Sequence, residues 1–335
     1  VNEFLLRNGM PRSSIRHCME YARTRLPRSV IIEPIQSQGY CSVTLLAATE
    51  PVASIIQFRP EAHRMDVAMA DDIRAIFGPV APITRSIGYL FDPNNQVILH
   101  VYSMSFLPGT PLTTHRISRL PPNVAGAHRA ALIRSLAQHY AIAWHNGRYP
   151  DAPRRPQTTV ASSLRGRLEA MACSLPSRFR TSAAQVLARL TQIESLPWVM
   201  THGDLVPVNI LVDPRRGEIS GLIDWAEAEY LPFGTGLYGL EEVLSHAASL
   251  PEEEPHGRKR WAYYSDVTLL RELFWSELFG MVPELREGGV MDTVRLAGQM
   301  GVLLWCGIAF DDGRLDRVVQ EGRDSVEIAK LDLFL

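Results

Sequence analysis

The sequence is short of the features that mark several protein classes. Cysteine is scarce: Cys18, Cys41, Cys173 and Cys306 are the four in 335 residues, far apart and in no metal-ligand spacing. They read as buried free thiols, which suits a reducing, cytoplasmic compartment. No run of about 18 apolar residues occurs, so no membrane-spanning helix is expected. The first residues, Val1-Asn-Glu-Phe-Leu-Leu-Arg-Asn-Gly9, lack the basic-then-apolar layout of a signal peptide. A start at a residue other than Met leaves room for an upstream segment. Basic tracts are missing too. With a net charge of −2 and both signs interspersed, no nucleic-acid partner and no membrane partner are expected. No internal repeat or low-complexity segment is present.

What is there is an ordinary globular composition, 46% apolar and 21% charged. The chain is long enough for two domains or two lobes of one enzyme. Residues 1–29 read as an N-terminal helical segment. Ser13 and Ser14 precede a helix with apolar positions Ile15, Cys18, Met19 and Ala22. β-rich runs follow at 30–32, 40–46, 53–59, 85–91 and 97–104. Turns are expected at 36–39, 49–51 and 92–95, and a helix over 64–77. Together they predict a small sheet-rich lobe over residues 30–104. A hinge at 105–110 leads to a larger α-helical lobe over 111–335. Its helices are expected at 125–146, 162–173, 181–193, 236–249, 261–279, 290–308 and 315–330, with a loop at 151–156. The expected class is α+β.

One stretch concentrates chemistry. It runs His202-Gly-Asp-Leu-Val-Pro-Val-Asn-Ile-Leu211 and is followed by Ile223-Asp-Trp225. Asp204 and Asn209 are five apart, the Asp-to-Asn spacing of a kinase catalytic loop. Pro and Gly within 213–218 suggest a hairpin that folds Asp224 back towards Asn209. Phosphoryl transfer asks for a carboxylate near the attacking hydroxyl and hard oxygen ligands for Mg²⁺. Asp204 suits the first role; Asn209 and Asp224 suit the second. Pro207 stiffens the loop between them.

His202 to Leu211, with Ile223-Asp-Trp-Ala-Glu-Ala228, resembles the aminoglycoside phosphotransferase and choline kinase-like family, relatives of the protein kinases. Gly39-Tyr-Cys-Ser-Val-Thr-Leu45 and Gln57-Phe-Arg-Pro60 are similar to its fungal members. Leu237-Tyr-Gly-Leu-Glu-Glu-Val-Leu244 and Trp305-Cys-Gly-Ile-Ala-Phe-Asp-Asp-Gly313 agree with it, so the resemblance covers roughly residues 30–325. It implies a bilobal protein kinase-like fold, with a small β-rich N-lobe and a larger α-helical C-lobe. It also implies ATP and Mg²⁺, and transfer of the γ-phosphoryl group to a hydroxyl of a small-molecule acceptor. By that resemblance Asp204 is the catalytic base, Asn209 and Asp224 hold the metal, and His202 braces the loop.

The nucleotide side departs from this pattern. Kinases of this type hold the α/β-phosphates with a cation on the third strand, usually Lys, paired with an acid on the next helix. Residues 53–59 contain no Lys. Strand alternation puts Ile55, Gln57 and Arg59 on one face. Either Arg59 supplies the cation or Gln57 fills the position as a neutral residue, and Arg is bulkier and forked. Asp66 is the candidate helix acid, one methylene shorter than Glu, and Ala68 stands where the family's acid is expected. Within the single-Gly loop 36–42, residues 38–42 read as a short flap over the phosphates, with Ser42 best placed to touch one. Met104 and Phe106 would offer backbone groups to the adenine edge.

On the acceptor side, Glu227, Glu229, Glu241, Glu242 and the run 252–254 would suit a cationic acceptor. Trp261, Tyr263, Tyr264, Phe274, Trp275 and Trp305 would shape an apolar one. The altered nucleotide grip keeps a second expectation open: a kinase-like fold repurposed as a pseudokinase, a binding protein or an enzyme of another reaction. A protein kinase is the weakest expectation. No Ala-Pro-Glu-type anchor follows Asp224, and Asp-Trp stands in place of Asp-Phe-Gly.

Overall fold

The structure, a computed structural model, describes residues 2–11, 13–27, 30–35, 38–48, 53–91, 97–148, 160–248, 260–311 and 314–335. The expected turns at 49–51 and 92–95, the loop at 151–156 and the acidic run 252–254 lie outside these, as do Gln36 and Ser37 of the expected turn at 36–39. The chain divides into two compact units, Val1–Pro108 and Gly109–Leu335. Among the described residues no helix is long and apolar enough to cross a membrane.

The first unit holds α1 (Asn2–Arg7), α2 (Ser14–Arg25), β1 (Ile31–Pro34), β2 (Val43–Ala48), β3 (Ser54–Arg59), α3 (Val67–Phe77), β4 (Thr84–Phe91) and β5 (Val97–Ser105). The strands form one antiparallel sheet in the order β1-β2-β3-β5-β4. Period-2 alternation sends Val43, Leu45 and Ala47 of β2, Ile56 and Phe58 of β3, and Leu99 and Val101 of β5 into the core. Phe4, Leu5, Cys18 and Ala22 from α1 and α2 belong to the same cluster. The N-terminal helices therefore share their core with the sheet. Tyr21 of α2 fixes this cover, edge-on to Phe58 at 6.0 Å and donating to the Ile87 carbonyl at 3.0 Å.

The second unit begins with β6 (Thr110–Pro111), α4 (Leu112–His115), α5 (Pro122–His145), α6 (Leu164–Ser174), α7 (Ser177–Ala188) and α8 (Leu190–Glu194). Next come β7 (Trp198–Thr201), β8 (Ile210–Val212), β9 (Ile219–Leu222), β10 (Glu229–Pro232) and α9 (Tyr238–Leu244). The unit ends with β11 (Ser245–Ala248), β12 (Arg260–Tyr263), α10 (Val267–Met281), α11 (Val290–Cys306), β13 (Ile308–Asp311), β14 (Arg314–Val318) and α12 (Ser325–Phe334). α5 is the scaffold: Leu132, Ile133, Leu136 and Tyr140 are buried along it. α10 packs on it, tied by Arg129–Asp266 at 2.6 Å and Arg134–Glu277 at 3.1 Å.

The sequence reading of the C-terminal third needs correcting at two places. The helices expected over 236–249 and 261–279 give way at their facing ends to an antiparallel pair, β11 with β12. Trp261 and Tyr263, two apart on β12, share one face of the strand. Trp261 Nε1 donates to Ser245 Oγ at 2.9 Å, so a cross-strand bond fixes what local helical preference does not. The helix expected over 315–330 is instead β14, a turn through Gly322 at φ +82°, and α12 starting at Ser325. Arg317 holds that turn by bonding Asp311 at 2.7 Å and Asp324 at 2.8 Å.

Candidate active site

β7 and β10 flank the stretch 202–225, and β8 and β9 lie within it. β7 pairs with β10, with Thr201 opposite Glu229, and β8 pairs with β9, with Ile210 opposite Leu222. The hairpin closes where Pro and Gly demand it: Gly217 N–H donates to the Asp213 carbonyl at 2.8 Å. One step past the ladder, Ile223 N–H donates to the Asn209 carbonyl at 3.0 Å, so Asp224 emerges beside Asn209. Asn209 is buried, and its Nδ2 donates to both the Asp204 carbonyl and Asp204 Oδ2, each at 2.9 Å. Asp204, Asn209 and Asp224 are thus brought together. Asp224 adopts φ +61°, a left-handed backbone that a non-glycine residue rarely takes and that Asp tolerates better than most.

The loop has its own braces. Gly203 lies at φ +82° with its α-carbon against Glu227, where a β-carbon would strike the Glu227 carbonyl. Buried His202 accepts from Asp204 N–H at 3.3 Å through Nδ1, and its Nε2 faces the Ile223 carbonyl at 3.0 Å. That pair of bonds requires the neutral ring with its proton on Nε2. Burial agrees, lowering the imidazole to about 4. The ring lies 4.4 Å from Trp225, whose Nε1 donates to the Leu222 carbonyl at 2.8 Å. His202 therefore staples the residue before Asp224 to the backbone of Asp204. Tyr238 of α9 adds a further hold, its hydroxyl accepting from Leu205 N–H at 2.8 Å.

Electrostatics mark Asp204 apart. Burial first, then the negative charge of Asp224, raises its carboxyl to about 6. The Asn209 bond and the Lys330 charge oppose this, and Glu242 adds to it. A carboxylate poised near neutral pH is suited to taking a proton. Sequence reasoning did not find Lys330. It reaches from α12 to Glu242 of α9 at 2.5 Å and lies 4.7 Å from the Trp261 ring centre. Glu242 stands one helical turn after Tyr238, on the same face of α9.

A metal ion at this site finds few ready-made acids. Among the described residues no group of three or more His, Cys, Asp or Glu side chains is assembled to hold one. Asp224 and the amide oxygen of Asn209 remain, since Nδ2 of that amide is turned to Asp204. A short set of hard oxygens fits Mg²⁺, which keeps waters and takes phosphate oxygens rather than a full protein cage.

In the first unit, the residues singled out for the nucleotide form a polar row across β2 and β3. Ser42 Oγ meets Thr44 Oγ1 at 3.1 Å. Gln57 Nε2 donates to Thr44 Oγ1 at 3.3 Å, and Arg59 Nε donates to Gln57 Oε1 at 2.9 Å. Arg59 is 2% exposed, so it is not a solvated strand end. Gln38 pins the flap to β2, exchanging bonds with Thr44 N–H and the Thr44 carbonyl at 2.8 Å each. Asp66 is employed differently from its expected role: it caps α3, accepting from Ala68 N–H at 2.9 Å and Met69 N–H at 3.2 Å. Met104 sits inside the sheet, opposite Ile55 on one side and Thr84 on the other. Phe106 lies past the ladder with an exposed ring, and its N–H points to the Ala53 carbonyl at 3.4 Å.

The acids expected to attract a cationic acceptor are mostly engaged within the protein. Glu241 accepts from Tyr263 at 2.5 Å and Arg271 at 2.6 Å, and Glu242 holds Lys330. Buried Glu229 accepts from Ala161 N–H at 3.0 Å, while Glu227 stays exposed. Of the aromatic candidates, Phe274 is core and Trp305 stacks on Tyr238 at 4.5 Å.

A model of the phosphotransferase enzyme family matches residues 51–237, more than half of the chain and all of the stretch from β3 through the catalytic-loop candidates. The chain belongs to that family. No curated protein matches the sequence. Solved structures of family members share its kinase-like fold at low identity. A macrolide 2′-phosphotransferase from Brachybacterium faecium is 17% identical, with a TM-score of 0.52 over 88% of this chain and 90% of its own. A Ralstonia eutropha protein provisionally described as an aminoglycoside phosphotransferase gives 0.54 at 11% identity, over 95% of this chain and 97% of its own. A thermostable mutant of an aminoglycoside phosphotransferase, in ternary complex with AMP-PNP and hygromycin B, gives 0.50 at 15% identity, over 94% and 97%.

Proposed function

We propose that this phosphotransferase-family protein moves the γ-phosphoryl group of ATP, with Mg²⁺, to a hydroxyl of a small molecule. The observation that carries the reading is the Asn209 side chain bonded to Asp204, with Asp224 delivered beside it by the β8–β9 hairpin. Asp204 takes the proton of the acceptor hydroxyl as its oxygen bonds to the γ-phosphorus. The bond from that phosphorus to the β–γ bridging oxygen breaks, and ADP leaves. Asn209 Oδ1 and Asp224 would hold the Mg²⁺, which would neutralise charge on the phosphate oxygens. His202 keeps the loop in place without moving a proton. Arg59, oriented by Gln57, is assigned to the nucleotide phosphates together with Ser42. The AMP-PNP and hygromycin B of one relative support both nucleotide use and a small hydroxyl-bearing acceptor.

Thermal unfolding with ATP and Mg²⁺, alone and together, tests the reading. Stabilisation should need both, survive in Asp204→Asn and be lost in Asp224→Ala. Asp204→Asn should cut Mg²⁺-dependent phosphoryl transfer, to water or to a panel of hydroxyl compounds, by about 10²–10⁴. Unchanged turnover in that variant refutes the base assignment. One observation favours a second reading: β3 carries no Lys. A binding protein that has kept the fold would show the stabilisation with no turnover in the unmodified chain.

A further inference from the structure

α10 and the start of α11 border an open groove of about 600 Å³, within the size range of small-molecule sites. Its charge is one-sided. Arg271, Arg286 and Arg295 line it, against a single acid, Glu272. Arg271 is paired with Glu241 at 2.6 Å. Arg295 lies 3.3 Å from Asp292, but both side chains are about 70% exposed, so that pair neutralises little. Among the described residues Arg286 has no carboxylate partner, and its guanidinium lies over the Phe279 ring, 5.0 Å from the centroid. The apolar part of the wall is Trp275, Phe279 and Met291, with the two rings 5.7 Å apart and tilted by 31°.

We propose that this groove binds an aromatic carboxylate about the size of a fused two-ring acid. Arg286 lines the groove with no carboxylate partner among the described residues, and the carboxylate of a ligand would supply one. Its two oxygens also match the planar fork of Arg bidentately. A flat ring beside that carboxylate finds Trp275 and Phe279 to stack on and the soft Met291 side chain to fill against. The wall offers apolar surface, cationic donors and the hydroxyls of Thr268 and Ser276 but a single acid, Glu272, which favours an acid over an amine-rich ligand here. None of these residues takes part in the proposed phosphoryl transfer, so the two readings stand or fall separately.

The test is calorimetric titration of 2-naphthoate into the full chain, with 2-naphthamide as the neutral counterpart. Saturable one-to-one binding of the acid is expected, weakened about tenfold in Arg286→Ala or Arg295→Ala, the loss of a charge-assisted bond. Both arginines are exposed, so the variants should melt like the parent. Trp275→Phe should keep the affinity and lose part of the ligand-induced fluorescence quench. No saturable binding at millimolar acid, equal binding of the amide, or undiminished binding in both arginine variants overturns the proposal. Mg²⁺-dependent nucleotide stabilisation, measured on the same samples, is expected to be unaffected.

Discussion

Replacing Lys330 by Met should be the most costly single change at the edge of the active site. Glu242 is 4% exposed, and Lys330 approaches it at 2.5 Å. Without the ammonium group, a carboxylate is left inside the protein with no compensating charge at that distance. Breaking one side of a buried ion pair costs about 3–5 kcal/mol, a large part of the total stability of a domain. That corresponds to a fall in melting temperature on the order of 10 °C. The loss carries a pH signature. Burial already holds Glu242 above its ordinary 4.5, and Lys330 is the main opposing influence. In the variant the folded-state value climbs further. Below about pH 4.5 both folded and unfolded chains keep the proton, so no penalty arises there. The penalty grows as pH rises through the folded-state value, making the deficit smaller at pH 5 than at pH 8. Glu242→Leu combined with Lys330→Met should recover most of the loss, because no buried charge remains. Urea unfolding followed by circular dichroism at pH 5, 6, 7 and 8 measures all three chains. A cost under about 1 kcal/mol at pH 8, or a double variant as unstable as the single, would refute the assigned burial and pairing.

Acid should loosen the second unit through His139 and His202. Burial lowers them to about 3 and about 4, so their neutral forms stabilise fully above pH 6.5 and that contribution is lost as pH falls towards 4. Each unit of that descent costs about 1.4 kcal/mol per group. His139→Gln should flatten the decline of the guanidinium midpoint between pH 6.5 and 4, and an unchanged slope would show that His139 is not held neutral. Gly203→Ala should cost about 2 kcal/mol or more, since a positive φ and a collision with the Glu227 carbonyl act together. Calorimetry measures the loss, and a neutral effect would mean that the loop shifts freely.

Much of the site was legible because its determinants are local. The five-residue step from Asp204 to Asn209 and the Pro-Gly turn of the β8–β9 hairpin lie within one stretch, and main-chain bonds complete what they begin. The sheet of the first unit was legible for a similar reason, its apolar alternation being carried by each strand alone. β11 and β12 were not. They are four-residue strands, and their conformation is fixed by pairing across an intervening segment rather than by their own preferences. Lys330 was hidden for the same physical reason: its partner Glu242 is 88 positions away, and no spacing rule connects them. Asp66 was legible in a different role: Asp ahead of Val-Ala-Met is a plain helix-capping signal, and its side chain caps α3.

The missing strand Lys carries less weight against catalysis once Arg59 is placed. Arg offers a phosphate a planar fork of N–H donors in place of the single ammonium of Lys. It also needs an orienting partner, since a planar fork aimed wrongly grips nothing. Gln57 supplies one at 2.9 Å from Arg59 Nε, and is itself held by Thr44. Gln57 and Arg59 are therefore not competing candidates for one role. On the proposed reading, the neutral residue positions the charged one, and the pair would take the place of a single Lys, with a direction set by the sheet.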